Sequence, residues 1–175
     1  MIIQTLIRKY NLKVADVVVL VSPGTSFPKH YAFYMGIYKG RHSFLANTAE
    51  GVRVICGKEL EKFMNQYEVL EVETYCTTDR QRYLVIRRAM SRLGESEYHL
   101  IFNNCEHFKN WVLEGNSRSD QVRKVAAGLF ITGLTMTAVG YAKKKKGLQK
   151  AGLILMLSPL IIVLFAMLIV SVKKS

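Results

Sequence analysis

A chain of 175 residues carries 25 Lys and Arg against 13 Asp and Glu, a formal net charge of +12, with half of its residues hydrophobic. That length holds one domain of ordinary size plus an appendage, and three cysteines (Cys56, Cys76, Cys105) without CxxC spacing argue against a disulfide framework or a zinc ligand set and for a reducing compartment. The charge is +5 through residue 142 and +7 beyond it, where lysines interrupt apolar stretches; a nucleic-acid binder would carry its basic patch on a folded surface, so the pattern speaks for an anionic lipid surface instead.

Taken in chain order, MIIQTLIRKYN brings a charge too early and lacks a small-residue cleavage site, so no signal peptide is expected. VADVVVLVS (14–22) is a β-branched, apolar central strand closed by the loop PGTSFPK. HYAFYMGIY and SFLANTA are strands joined by the short KGRH, a hairpin turn, and GVRVIC is a further strand. KELEKFMNQ reads as helix, and YEVLEVETY alternates as a strand. DRQRYLVIRRAMSRLG (79–94) is an amphipathic helix with Tyr83, Ile86, Ala89, Met90 and Leu93 on one face, its arginines mostly on the other, and Gly94 as its stop. YHLIFNNCEHFKNWVLEG is extended to about Phe102 and helical from about Cys105 to Glu114, ending at Gly115. Strands in a meander followed by helices give an α+β domain over residues 1–124.

Residues 125–175 form a hydrophobic membrane anchor. The 22 uncharged residues 151–172, flanked by Lys150 and Lys173-Lys174, are long enough to span a bilayer, and Pro159 is tolerated in a spanning helix. The shorter, Gly- and Thr-rich segment 125–142 either spans as well, packing its small residues against the first helix, or lies in the interface or over the domain. Two spans make a hairpin with KKKK at its tip, the reading preferred here, with the domain in the cytoplasm. The basic flanks are too alike to fix the orientation.

In NNCEHF, Asn103 or Asn104 can cap the helix that Cys105 opens. The thiol then lies at the positive end of the helix dipole, a setting expected to move it from its free value of about 8.5 towards neutrality. Cys105 is therefore either a nucleophile or a buried apolar residue among polar neighbours. A nucleophile needs a histidine to take its proton. His107 sits two positions along the same helix, where side chains do not face each other, and reads as a surface or packing residue; His99 precedes the apolar LIF. His30 begins a strong strand directly after a Gly/Pro loop, and His42 lies beyond the hairpin turn.

HYAFYMG followed by NNCEHFKNWVLEGNSRSDQV resembles the histidine box and Asn-Cys box of the lecithin–retinol acyltransferase-like proteins, which include the phospholipase A/acyltransferases of HRAS-like suppressor type. The resemblance covers roughly residues 12–124. It implies a permuted papain-like (NlpC-like) fold with an antiparallel sheet and helices, Cys105 as nucleophile and His30 as base. The family's second, orienting histidine, twelve residues downstream, falls on His42. Strand parity points elsewhere: with Lys39-Gly40 as a two-residue turn, Ala32 pairs with Asn47, which shares the face of His30, whereas His42 pairs with Ile37 and faces away. Papain-like sites can use Asn as the orienter, so Asn47 is favoured and His42 kept as the alternative.

The expected activity is a membrane-anchored thiol phospholipase A/acyltransferase. It would move a fatty acyl group from a glycerophospholipid through a thioester on Cys105 to water or to an amine or alcohol acceptor. No cofactor, metal or nucleic acid is expected. An NlpC-like cysteine peptidase or amidase, and a non-catalytic membrane-tethered binding protein, are the alternatives.

Overall fold

The run Val17–Val21 is buried at all five positions, as a continuous apolar stretch should be when both faces of its sheet are covered. It is β1 in a computed structural model that describes residues 3–95, 104–115 and 119–173. The chain divides into two compact units, Met1–Ser119 and Asp120–Ser175. In the first, α1 (Ile3–Tyr10) precedes β1, followed by β2 (His30–Tyr38), β3 (Arg41–Thr48), β4 (Gly51–Cys56), α2 (Gly57–Met64), β5 (Glu68–Glu73), α3 (Asp79–Met90) and α4 (Cys105–Glu114). The five strands are antiparallel in the order β4-β3-β2-β1-β5. The expected meander therefore holds for four strands only: β5 returns to the free edge of β1 after α2.

Alternation along the strands sorts the core into two layers. Val17, Val19, Phe33, Leu45 and Val52 share one cluster with Ala89 of α3 and with Phe108 and Val112 of α4. Val18, Leu20, Ala32, Phe44 and Ile55 share the other with Ile3 and Leu6 of α1 and Leu60 and Met64 of α2. The sheet is thus sandwiched between helices, and the α4 side carries the cysteine in question.

Two expectations are corrected here. Lys39 and Gly40, at φ 50° and 75°, form the two-residue turn expected, and Tyr38 pairs with Arg41 and Ile37 with His42. The register then slips by one at Met35, a β-bulge, so that Ala32 pairs with Ala46 and not with Asn47. Gly36, at φ +77°, makes the bulge tight: a Cβ there would meet Val14 Cγ2 at 3.0 Å. The second correction concerns α3, which ends at Met90 and reaches Gly94 through turns. Of the expected face, Ala89 is buried and Ile86 and Met90 pack against the core, but Arg82 and Val85 are buried as well, whereas Tyr83 is 64% and Leu93 46% exposed. The reason is Arg82, whose guanidinium pairs with buried Asp16 at 3.0 Å and donates to the carbonyl of Cys76 at 2.6 Å; this turns the helix face inward around a charge.

In the second unit, α5 (Asp120–Ala142) and α6 (Lys146–Lys173) run antiparallel, joined at Lys143–Lys145. A Cβ at Gly133 would lie 2.4 Å from the Met156 amide nitrogen, so the two backbones touch there. Gln149 Nε2 donates across to the Gly140 carbonyl at 3.0 Å. Segment 125–142 lies in α5 and 151–172 in α6 with Pro159 inside it, and both helices are long and apolar enough to cross a membrane.

Candidate active site

Cys105 is the first residue of α4, and Asn104 is its cap: Asn104 Oδ1 accepts from the amides of Glu106 and His107, both at 3.0 Å. His107 is buried, with Nδ1 3.0 Å from the same oxygen, so it fastens the cap from within the helix and is not a surface residue. Phe108 meets Phe33 edge-on at 6.0 Å and Val112 is fully buried, which fixes the helix, and with it the thiol, against the sheet. The other cap candidate, Asn103, lies outside the described residues, as do His99 and the extended segment before it.

Around the sulfur the chain brings together distant residues. Sγ of Cys105 lies 3.8 Å from Nδ1 of His30 and donates to the Lys29 carbonyl at 3.3 Å. The imidazole stands at the start of β2 and is held by the Tyr67 ring, 4.8 Å between centroids. A cavity of about 150 Å³ is lined by His30, Ala46, Asn47, Phe63, Tyr67 and Cys105, among others. Continuing the bulged register sets Asn47 beside Tyr31, on the α4 side of the sheet, while His30 reaches the cavity from the strand's end. Asn47 and His30 thus meet at one cavity by a route other than the shared strand face expected. His42 is placed elsewhere: its Nδ1 is 2.7 Å from the Tyr34 hydroxyl and its ring stacks on Tyr34. Phe63 and Tyr67 were not legible as site residues, because an aromatic near the end of an amphipathic helix and one at the start of a strand both read simply as core.

The electrostatics differ from the expectation of a lowered thiol. Burial pushes the Cys105 thiol up to about 11, although the amides of Tyr31, Cys105 and Glu106 pull the other way. Burial likewise lowers His30 below its ordinary value. At neutral pH the resting pair is a neutral thiol beside a neutral imidazole, which can remove the proton as the sulfur attacks. With a thiol near 11, thiolate makes up about one part in 10⁴ at pH 7. Iodoacetamide alkylation of Cys105, followed by peptide mass spectrometry, is therefore expected to rise about tenfold per pH unit from 7 to 10. A plateau below pH 8 would contradict this.

Behind the thiol the polar residues of α4 are anchored. Glu106 accepts from the Tyr31 hydroxyl at 3.5 Å and from Ser119, and Lys109 pairs with Glu73 at 3.3 Å beneath the Tyr31 ring. Among the described residues no group of three or more His, Cys, Asp or Glu could hold a metal ion.

Comparison with known proteins follows the same residues. The pattern of the lecithin retinol acyltransferase family matches residues 12–118. The chain is 27% identical over 157 residues to "Phospholipase A and acyltransferase 3" of Pongo abelii and likewise to that of Homo sapiens, covering 78% of this chain and 95% of each relative. The protein of the same name from Mus musculus is 40% identical over 57 residues, 32% of this chain and 35% of its own. The matched segment runs through β2, the hairpin, the bulge and the helix that begins at the cysteine, and the chain accordingly belongs to the lecithin retinol acyltransferase family.

Proposed function

We propose that this protein is a cysteine-dependent phospholipase A/acyltransferase. The observation that carries the reading is the thiol at the start of α4 lying 3.8 Å from an imidazole at a small cavity; the names of the relatives indicate an acyl ester as its substrate. His30 takes the thiol proton as Cys105 attacks an ester carbonyl of a glycerophospholipid, and the Cys105 amide, in the first helical turn where backbone N–H groups have no intrahelical acceptor, holds the oxyanion. The proton passes to the leaving alkoxide, releasing lysophospholipid and leaving a thioester. Water, or an amine or alcohol acceptor activated by the same imidazole, then takes the acyl group. Relatives named phospholipase A and acyltransferase favour this over amide hydrolysis.

Intact-mass measurement of the full-length chain after exposure to a defined phosphatidylcholine tests this. One fatty acyl group is expected on Cys105, removable by neutral hydroxylamine; phospholipid consumed with acylation only elsewhere would reject the reading.

In the same reading Asn47 orients His30, in the manner of papain-like enzymes, whose permuted relatives this domain resembles. Asn47→Ala is expected to lower kcat about 10²-fold through misplacement of the base with KM nearly unchanged, and Asn47→His to recover part of it. His42→Ala, which removes a partner of Tyr34, is expected to leave kcat within a few-fold. The reverse order would transfer the role to His42. The α5–α6 hairpin holds the enzyme, with its domain on the cytoplasmic side, beside a substrate that seldom leaves the bilayer. This raises its effective concentration.

A further inference from the structure

The cavity at Cys105 adjoins a larger one of about 320 Å³. Thr48 at the end of β3 and Ala49 in the turn after it, with Phe63 and Tyr67 in and after α2, line both, so the two form one groove from the sulfur out between the β3–β4 turn and α2. Its character changes along that path. Ala46, Phe63 and Tyr67 wall the thiol end, whereas the outer end carries Glu50, Arg53, Glu59 and Lys62. Arg53 reaches from β4 to both carboxylates, and Lys62 stands one turn of α2 beyond Glu59. The four formal charges cancel, with both signs in reach.

An acyl chain in the outer groove would strip water from four charges and offer them no partner. A small zwitterion would match them. Phosphate oxygens suit the guanidinium fork and the lysine ammonium, and a cationic amine suits a carboxylate that Arg53 gives up. That exchange is easy, because the Glu50 side chain is 73% exposed and its ion pair with Arg53 is worth little. The volume stands at the low end of small-molecule sites, about 300–1,000 Å³, enough for a headgroup and not for a lipid.

We propose that the groove end formed by Glu50, Arg53, Glu59 and Lys62 is a headgroup subsite that takes the phosphate and ammonium of a zwitterionic glycerophospholipid while its ester carbonyl lies at Cys105. The lipid's identity rests on the acyl-transfer reading above; the groove and its charges do not.

Full-length protein in detergent micelles is assayed on diheptanoyl phosphatidylcholine, diheptanoyl phosphatidylglycerol and p-nitrophenyl heptanoate, which has no headgroup. Lys62→Glu is expected to lower kcat/KM for phosphatidylcholine relative to the nitrophenyl ester at least tenfold, through KM. Glu50→Lys is expected to shift the phosphatidylcholine-to-phosphatidylglycerol ratio at least tenfold towards the anionic lipid. Unchanged ratios in both variants overturn the subsite while leaving the acyl-transfer reading intact. If the wild-type chain turns over none of the three esters, that reading falls, and the subsite is read by titrating glycerophosphocholine and following its phosphorus resonance. A saturable perturbation lost in Lys62→Glu supports the subsite; no perturbation overturns it.

Discussion

Cys105→Ala is expected to abolish the acyl-enzyme entirely, and His30→Gln to slow its formation by about 10²–10⁴-fold, the usual contribution of a positioned general base. Neither change should disturb the fold much. Cys105 ends in a cavity, and His30 is half-buried at the end of a strand. Single-turnover release of nitrophenol from a short ester reads both, with circular dichroism as the check on folding. A full burst from the alanine variant would remove Cys105 from the reaction, and a loss under tenfold from His30→Gln would remove the imidazole as base. The pH profile carries a signature. Because burial lowers His30, the neutral base persists as pH falls, and the acid limb of wild-type acylation is expected below about 6.5.

Arg82→Ala is expected to be the most damaging change outside the cavity. Its guanidinium ties two segments to α3: the stretch before β1, through Asp16 at 3.0 Å and the Val14 carbonyl at 2.5 Å, and the stretch after β5, through the Cys76 carbonyl at 2.6 Å. Removing it leaves buried Asp16 without its ion-pair partner, a change that costs about 3–5 kcal/mol. For a domain of this size that lowers Tm by about ten degrees or more, readable by thermal unfolding of the full-length chain in detergent. Replacing both members together, Asp16→Leu with Arg82→Met, should recover much of the loss, since the penalty comes mainly from the orphaned charge. If the double variant is no better than Arg82→Ala, the arginine acts by its bulk and not by its charge.

These two sites differ in how far they could be read from the residues. The VVVLV run of β1, the Lys39-Gly40 turn and the Asn104 cap are local features whose chemistry depends on neighbours in the chain, and each forms as its residues dictate. The arginines of α3 read mostly as the polar face, where arginine usually goes, and Asp16, 66 positions away, with the carbonyls of Val14 and Cys76, brings Arg82 inside. The thiol was misjudged for a similar reason. Its helix terminus is local and visible, but the burial that outweighs it comes from β2 and the aromatics around the cavity, and no spacing rule reports that. Strand parity favours Asn47 on a pairing with Ala32 that does not form, since one unforeseen residue at Met35 changes every pairing beyond it.

That extra residue also changes how the family's histidine spacing should be used. Chain distance from His30 leads to His42, which stands near the hairpin turn against Tyr34, whereas the offset ladder leaves Asn47 at the cavity. A hairpin of this kind can gain or lose residues at its tip in compensated steps while the position opposite the thiol stays filled. Relatives should then agree in where their two polar groups stand relative to the sulfur, whatever the residue count between them.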